Sequence, residues 1–455
     1  MSTQADKARS LAGRFGPCRS GVFDPGGLLI TELAERYGTP LYLYSGDMVR
    51  ERVRAARHAL GSALAYSIKA NPSLGVCQLI ADEGVWAEVA SGGELAVAMA
   101  VGFPPVSTVF AGPGKTEDEL ERLVACGIHA DHVESVDEID RLAAVAERLG
   151  VAAGVGLRIN PVAPLLGARM RMGGTATAFG IDEDELPTAV ERTLSHAGLR
   201  FRGIHVYTAT QVFEVAPLLE HCRDVVALAL RAADLAGRPL ETIDFGGGFG
   251  VPYFEGMGEF DLAAFAEGFR QLRAEHATDP RIRDARFLVE LGRYLVADAG
   301  VYVMRVVDVK RTRGTTFAVT DGGMNHHLTA TGNMGQVFRR PYPILNLTRM
   351  DMPEDQAITV AGPLCTPLDS FGSGIALPET HVGDLIGVFH SGAYGLTASN
   401  VGFLSHPLPA EVLLLGGDAH LLRAAGRAED ALTGQQRLPE AARSAPPPRG
   451  NGAGA

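Results

Sequence analysis

The sequence predicts an α/β chain: a closed (β/α)8 TIM barrel followed by an antiparallel β domain. Three observations carry this expectation. Between about residue 40 and residue 296, short apolar runs alternate with stretches whose apolar residues recur at three- and four-residue spacing. The runs number eight, the strand count of the closed barrel. After Leu295 the rhythm stops, and short β-rich runs follow with turn residues between them. A doubly wound open sheet shares the alternation, and pattern alone does not establish closure.

The candidate strands are Ala63–Lys69, Val85–Ala90, Ser107–Ala111, His129–Glu134, Ala153–Ile159, Gly203–Tyr207, Thr242–Phe245 and Phe287–Glu290. Helices are predicted between them, over Glu117–Ala125, Val136–Leu149 and Leu218–Ala236 among others. Ser91 caps Gly92–Met99, and Thr116 with Glu119 three residues on makes a capping-box pattern. Residues 46–296 are thus the expected barrel. Residues 297–416 are the expected β domain, with runs at Val301–Val309, Thr315–Thr320, Ala357–Val360, Asp384–Phe389 and Glu411–Leu415. Residues 17–45 hold the short apolar runs Leu28–Ile30 and Pro40–Tyr44 and are assigned to that domain. Residues 1–16 are expected to be flexible. So is most of 417–455, which is rich in Ala, Arg, Pro and Gly and ends SAPPPRGNGAGA.

The 455 residues are 46% hydrophobic and 21% charged, a globular composition with ample core. Acids outnumber Lys and Arg by 53 to 41, and the formal charge of −12 argues against a general nucleic-acid binder. Five cysteines without CxxC spacing argue against a disulfide framework or a structural zinc site, so no metal is expected. No apolar run reaches the roughly 18 residues that span a bilayer. The opening MSTQADKARS lacks the apolar stretch of a signal peptide. A soluble, cytoplasmic protein without membrane partners is the expectation.

The first strand ends Tyr66-Ser67-Ile68-Lys69-Ala70-Asn71-Pro72. Alternation puts Ala65, Ser67 and Lys69 on one face, which in a barrel can point inward. A lysine there is costly to bury unless it is paired or used covalently, and barrel enzymes work at the C-terminal strand ends. The chemical reading is a Schiff-base lysine; the ordinary one is a side chain that snorkels to solvent. The seventh strand runs into Asp244-Phe245-Gly246-Gly247-Gly248-Phe249-Gly250. Glycine N–H groups approach an anion closely, and barrels often bind phosphate after strands seven and eight. A tight turn is the alternative, though it strains to explain four glycines in five residues. The eighth strand ends Val289-Glu290-Leu291-Gly292-Arg293-Tyr294, which offers a local ion pair or separate partners for a ring nitrogen and a phosphate. Ser391-Gly392-Ala393-Tyr394-Gly395 adds a tyrosine between glycines. A lysine for an aldehyde, glycines and an arginine for a phosphate, and a carboxylate for a pyridinium together specify pyridoxal 5′-phosphate.

These motifs carry a resemblance. YSIKANP, EVASGGEL, GGGFG, ELGRY, GPLCTPLD, SGAYG and FLSHPLPAEVL stand in the order found in the fold-type III pyridoxal-phosphate decarboxylases. That family includes the diaminopimelate, ornithine and arginine decarboxylases, on an alanine-racemase-like barrel. The resemblance covers about residues 25–415. It implies that Lys69 is the Schiff-base lysine and that Gly246, Gly247, Gly248, Gly292, Arg293 and Tyr394 lie around the phosphate. Thr210 takes the place of a phosphate-contacting serine. Glu290 matches the partner of the pyridine nitrogen, Glu88 an acid near the lysine, and Arg158 a polar pocket residue. Cys365 matches a cysteine that reaches the neighbouring subunit's site and protonates the product carbon, which implies a homodimer with shared active sites.

Three departures bear on function. The ring-stacking histidine of the family is replaced by Tyr207, with His205 two residues earlier, and an aromatic face can still stack. Leu291 interrupts the usual EPGR motif without touching its two working residues. Thr366 stands where relatives that bind a distal ammonium carry an acid, although Asp369 is close in sequence. The resemblance therefore implies decarboxylation of an amino acid whose distal end is neutral or acylated, including a glutamyl group on an acyl carrier protein. Decarboxylases of specialised metabolism, such as antibiotic biosynthesis, are the nearest in motif. Arg339 and Arg340, or Lys310, Arg311 and Arg313, are candidates for receiving an acidic carrier; the alternative is solvated loop charge. The segment from Met170 to Gly174, leading to Phe179-Gly180-Ile181, is expected to shape the substrate pocket. Diaminopimelate decarboxylation in lysine biosynthesis is the competing function. A racemase or a catalytically dead binding homologue fits less well, because Glu290 and the other motif residues are retained.

Overall fold

The computed structural model describes residues 4–61, 64–162, 170–171, 176–334, 336 and 339–443. Helices α1 (Gln4–Phe15) and α2 (Ile30–Tyr37) precede strand β1 (Leu41–Ser45) and helix α3 (Gly46–Leu60). Eight strands follow: β2 (Leu64–Ser67), β3 (Trp86–Val89), β4 (Thr108–Ala111), β5 (Ala130–Val133), β6 (Ala153–Asn160), β7 (Leu199–His205), β8 (Thr242–Gly247) and β9 (Arg286–Leu291). Between them lie α4 (Leu74–Asp82), α5 (Gly92–Ala100), α6 (Glu117–Cys126), α7 (Val136–Leu149), α8 (Leu186–Ser195), α9 (Val215–Ala236) and α10 (Leu262–Glu275). The local signals act as expected. Thr116 and Glu119 close a reciprocal capping box on α6, and left-handed Gly127 ends that helix.

Each of the eight strands pairs in parallel with the next, and β9 returns to β2, so the sheet closes. Closure decides between the barrel and the open sheet. Inside the barrel, Ala65, Trp86, Val109 and Leu288 form an apolar cluster of their own. Two residues further along their strands come Ser67, Glu88, Ala111 and Glu290. Period-two alternation therefore sets a polar layer directly above an apolar floor.

The second sheet comprises β10 (Gly300–Thr312), β11 (Thr315–Thr320), β12 (Ile344–Asn346), β13 (Gln356–Ala361), β14 (Ser370–Leu377), β15 (Leu385–Phe389), β16 (Ala410–Leu415) and β17 (Asp418–Arg423). Its order is β14-β13-β11-β10-β1-β16-β17, with β15 on β10 and β12 on β15. It is antiparallel apart from the pairs β11–β13 and β1–β16. Strand β1, from before the barrel, lies between β10 and β16.

Several expectations change. Residues 4–15 are not a flexible terminus but a helix. Ala8, Leu11, Ala12 and Phe15 form one buried stripe on it, and Phe15 meets Phe23 and Phe389 edge-on at 6.1 and 6.2 Å. The tail does not begin at residue 417, because the chain turns at Gly416–Gly417 and returns as β17, pairing the open edge of β16. The run Leu28–Ile30 leads into α2 rather than forming a strand. The first barrel strand ends at Ser67, so Lys69 stands in a turn over Ile68–Ala70; Ala63 lies outside the described residues. Asp298 joins the parts: Arg14 of α1, Arg52 of α3 and His390 Nδ1 approach it at 2.9, 2.6 and 2.9 Å. Burial works against this carboxylate, but the contact with His390 and the guanidinium groups of Arg52 and Arg14 hold it well below the usual range.

Phe15→Ala should destabilise the protein by about 3 kcal/mol, the scale of an aromatic truncation in a packed core. Chemical denaturation measures this, and a loss below about 0.5 kcal/mol, typical of an exposed site, would show that α1 does not dock in solution.

Candidate active site

The polar layer above the barrel floor opens into a cavity of about 500 Å³ at the C-terminal strand ends. Lys69 Nζ lies against both oxygens of Glu88, at 2.7 and 2.8 Å, and Glu88 is buried. Burial disfavours the Lys69 ammonium, but Glu88 and then Glu290 outweigh it and hold the proton more tightly than in a free lysine. The snorkelling alternative does not describe this side chain, which points into the cavity and is paired there.

Opposite stands Glu290, with Oε2 at 3.5 Å from His205 Nε2 and with Oε1 buried and unpartnered. His205 stacks on His132, with centroids 4.5 Å apart and planes 16° from parallel. An ideal Cβ at Gly156 would come within 2.5 Å of the His132 ring, so glycine there makes room for the stack. Asp244 lies beside Glu290. Burial raises Asp244 well above the usual carboxylate range, and its acidic neighbour adds to this; burial also raises Glu290, against the pull of Lys69. Two carboxyls in one buried place thus disfavour each other's charge. Burial keeps both imidazoles neutral. Ligand atoms of His132, His205, Asp244 and Glu290 lie within 4.8 Å of one another, close enough for a metal ion. Stacked rings aim their in-plane lone pairs side by side rather than at one point, and both His205 nitrogens, Asp244 Oδ2 and Glu290 Oε1 are buried without hydrogen-bond partners, as at a site that awaits a polar ligand.

The other end of the cavity suits an anion. Arg293 lies over the rings of Tyr394 and Tyr253 at 4.4 and 5.5 Å and donates to the Tyr253 hydroxyl at 3.3 Å. Its Nε is buried without a hydrogen-bond partner, and no carboxylate pairs with it among the described residues. A buried guanidinium in this state calls for an anion. A small recess of about 30 Å³ beside it is lined by Thr210, Gly248, Gly292 and Tyr394, among others. The glycines fit closely. A Cβ at Gly247 would overlap the Glu290 carbonyl oxygen, and one at left-handed Gly246 would lie 2.7 Å from the Tyr207 ring. Tyr394 is itself left-handed and is held by its N–H to Ala70 O at 2.8 Å, which fixes it to the lysine turn. Tyr207 faces the cavity, and burial pushes its phenol up, so it presents a neutral ring. Arg158 also lines the cavity, held by Glu134 at 2.6 Å and lying 5.1 Å from Phe179.

Within one chain, then, Lys69, Glu88, Arg158, Tyr207, Thr210, Glu290, Arg293 and Tyr394 share one cavity. The remaining candidates do not line it. Cys365 is exposed on the loop after β13. Thr366 is half-buried in a turn there, with its Oγ1 accepting from Leu368 N–H at 3.3 Å. Asp369 is buried, but as a loop staple: its oxygens accept from the N–H groups of Met324 and Leu364 at 2.7 and 2.8 Å. Each oxygen thus already accepts one backbone N–H, and Asp369 does not line the cavity of its own chain. Lys310, Arg311 and Arg313 lie on the β10–β11 hairpin, with Arg311 3.9 Å from Glu379. Of the segment expected to shape the pocket, Phe179 lines the cavity, while residues 172–174 lie outside the described residues. Sequence reasoning missed Asp244, His132, Tyr253 and Tyr342. Asp244 was the findable one, two residues before the glycine run and on the inward face of its strand.

The orphaned Glu290 oxygen, the unneutralised Arg293 beside a glycine recess and the inward lysine fit a phosphorylated aldehyde with a basic ring nitrogen. Comparison with known proteins agrees. The family described as pyridoxal-dependent decarboxylase, pyridoxal binding domain, matches residues 46–297. The chain is 38% identical over 411 residues to the L-glutamyl-[BtrI acyl-carrier protein] decarboxylase of Niallia circulans, covering 89% of this chain and 96% of that one. It is 32% identical to the diaminopimelate decarboxylase of Zymomonas mobilis, covering 90% and 95%. The crystal structure of diaminopimelate decarboxylase from M. jannaschii superposes with a TM-score of 0.86 at 27% identity, over 94% of this chain and 99% of that one.

Burial holds His129, His221 and His326 at about 4 and His327 at about 3, with His132 and His205 also well below the ordinary value. Below pH about 6.5 the unfolded chain therefore binds more protons than the folded one, and stability falls as pH drops towards about 4. Each imidazole contributes up to about 1.4 kcal/mol per pH unit in that window. The urea midpoint of the cofactor-free protein should be clearly lower at pH 5 than at pH 7; equal midpoints would mean these rings are charged in the fold.

Proposed function

The chain belongs to the pyridoxal-dependent decarboxylases, and from that premise we propose that it decarboxylates an amino acid with an acylated distal end, foremost a glutamyl thioester on an acyl carrier protein. It is a decarboxylase that uses pyridoxal 5′-phosphate. The observation that carries the substrate reading is the charge of the cavity wall. Among the described lining residues only Glu88 and Glu290 are acidic, and both stand at the lysine end. The other lining residues of this chain, among them Phe254, Met257, Thr329, Gln336 and Tyr342, include no carboxylate, and the residue after Cys365, which a shared site would bring from the second copy, is Thr366 rather than an acid. A buried ammonium without a partner costs several kcal/mol, which corresponds to orders of magnitude in affinity. The identity to the glutamyl-carrier-protein decarboxylase supports the same reading.

The bound cofactor supplies an aldehyde that captures an amine and a ring that accepts the electrons left when carbon dioxide departs. In the proposed roles, Lys69 holds the aldehyde, Glu290 a proton at the ring nitrogen, and Arg293 with Thr210, Gly246, Gly247, Gly248 and Tyr394 the phosphate. Tyr207 offers its ring face. Glu88, in contact with Lys69 Nζ, holds and orients this amine inside the cavity. Glu134 orients Arg158 across the cavity. Capture requires a free α-amine, and loss of carbon dioxide requires a free α-carboxylate, so a tethered glutamate must be joined through its γ-carboxyl. The bond from Cα to the carboxylate breaks, carbon dioxide leaves, and Cα takes one proton, giving a 4-aminobutyryl thioester. We assign that proton to Cys365 of a second copy in a homodimer, since Cys365 is exposed and off its own cavity.

Two measurements test this. Comparing kcat/KM for glutamyl-loaded carrier protein, free diaminopimelate and free ornithine should favour the loaded carrier at least tenfold, and Thr366→Asp should narrow the gap. If free diaminopimelate is the best substrate of the unaltered enzyme, the lysine-pathway reading replaces ours. Mixing inactive Lys69→Ala with inactive Cys365→Ala subunits should restore activity, because one hybrid site is then whole. No recovery despite demonstrated subunit exchange would mean that each chain builds its site alone.

A further inference from the structure

The cavity mouth carries a feature that decarboxylation itself does not use. Phe254 and Gln336 line the cavity, and both are tied to Arg340: its guanidinium lies 5.9 Å from the Phe254 ring, and its backbone N–H donates to Gln336 Oε1 at 2.9 Å. Arg339 stands beside it and donates to Asn333, the neighbour of the lining residue Met334. Both arginines are exposed, and neither makes an ion pair among the described residues. A third cation, Lys7 of α1, donates to Phe254 O at 3.5 Å, although Glu259 acts on it from nearby. Arg339 and Arg340 thus stand at the mouth without ion-pair partners among the described residues, in a chain whose formal charge is −12.

We propose that Arg339 and Arg340 receive the phosphodiester of the arm that presents the substrate. This deepens the proposed function and rests on it. A carrier protein holds its acyl group at the end of a phosphopantetheine arm: a thioester, then two amides and an alkyl chain, then a phosphodiester. In that order the reacting glutamyl end sits at Lys69, the amides and alkyl chain run along Phe254, Met257, Met334 and Gln336, and the phosphodiester reaches the mouth. Arginine suits that end because its planar fork binds phosphate oxygens bidentately. The Phe254 contact holds the Arg340 fork in place, which lowers the ordering cost of binding. Free ornithine has no anionic distal group for these arginines to meet, and free diaminopimelate has a distal carboxylate but no phosphodiester, so a preference that follows the phosphate reads the tether rather than the amino acid.

The probes are two soluble thioesters, γ-glutamyl-4′-phosphopantetheine and γ-glutamyl-pantetheine, which differ by the phosphate alone. With the unaltered holoenzyme, kcat/KM should be at least tenfold higher for the phosphorylated compound, with the difference in KM rather than kcat and weakened by salt. In the double variant Arg339→Gln, Arg340→Gln the preference should fall to near one. Arg340→Glu should reverse it, and Arg339→Lys, Arg340→Lys should restore part of it. If the unaltered enzyme turns over both thioesters equally, or if the variants keep the preference, the arginine proposal is overturned while the tethered-substrate reading stands. If neither thioester is turned over and free diaminopimelate is, both fall together.

Discussion

Closure of the barrel is the constraint on which the site depends. In a closed parallel sheet every second residue of each strand faces the same enclosed interior, and the strands end at a common height. Ala65, Trp86, Val109 and Leu288 fill the lower part of that interior with apolar volume. The next inward positions have no solvent to face, so whatever polar groups stand there must satisfy one another or a ligand. Glu88, His132, His205, Asp244 and Glu290 are those groups, drawn from five strands that are far apart in sequence.

Burial and close neighbours set the direction in which each group is pushed. Lys69 and Glu88 form an ion pair, burial raises Asp244 beside Glu290, and burial lowers the two stacked imidazoles. Glu290 keeps one oxygen without a partner and Arg293 keeps a buried nitrogen without one, which leaves two opposite demands at two ends of one cavity. A ligand with a cationic ring nitrogen and a phosphate answers both at once. The same polar atoms that are costly in the empty fold thus become the source of cofactor affinity.

The rest of the cavity is built from outside the barrel. Tyr342, Thr329 and Tyr394 come from the second domain, and Tyr394 is fastened to the lysine turn through Ala70. Helix α1 reaches the same wall: Gln4 donates to Pro341 O at 2.8 Å and Lys7 to Phe254 O. The Asp298 cluster ties α1 and α3 to the strand end at His390. Barrel residues therefore provide the chemistry, while the β domain and α1 shape what can enter.

The sequence by itself determined the eight strands, the helix caps and the chemical character of the cofactor end, because these rest on local signals. Period-two runs, a serine or threonine three residues before a glutamate, a glycine run after a strand and a lysine at a strand end each act over a few residues. Only the tertiary structure decided closure, since the β9–β2 pairing joins residues more than two hundred positions apart. Helix α1 escaped the sequence reading because its apolar stripe is only Ala8, Leu11, Ala12 and Phe15 in an otherwise polar helix, and docking rather than propensity holds it. Asp369 shows the same limit. In sequence it is an acid near the Thr366 position, and only the fold shows that each of its oxygens accepts a backbone N–H, one of them from a loop forty-five residues away. A side chain's type is written in the sequence, whereas whether it is free to act depends on which distant groups the fold brings against it.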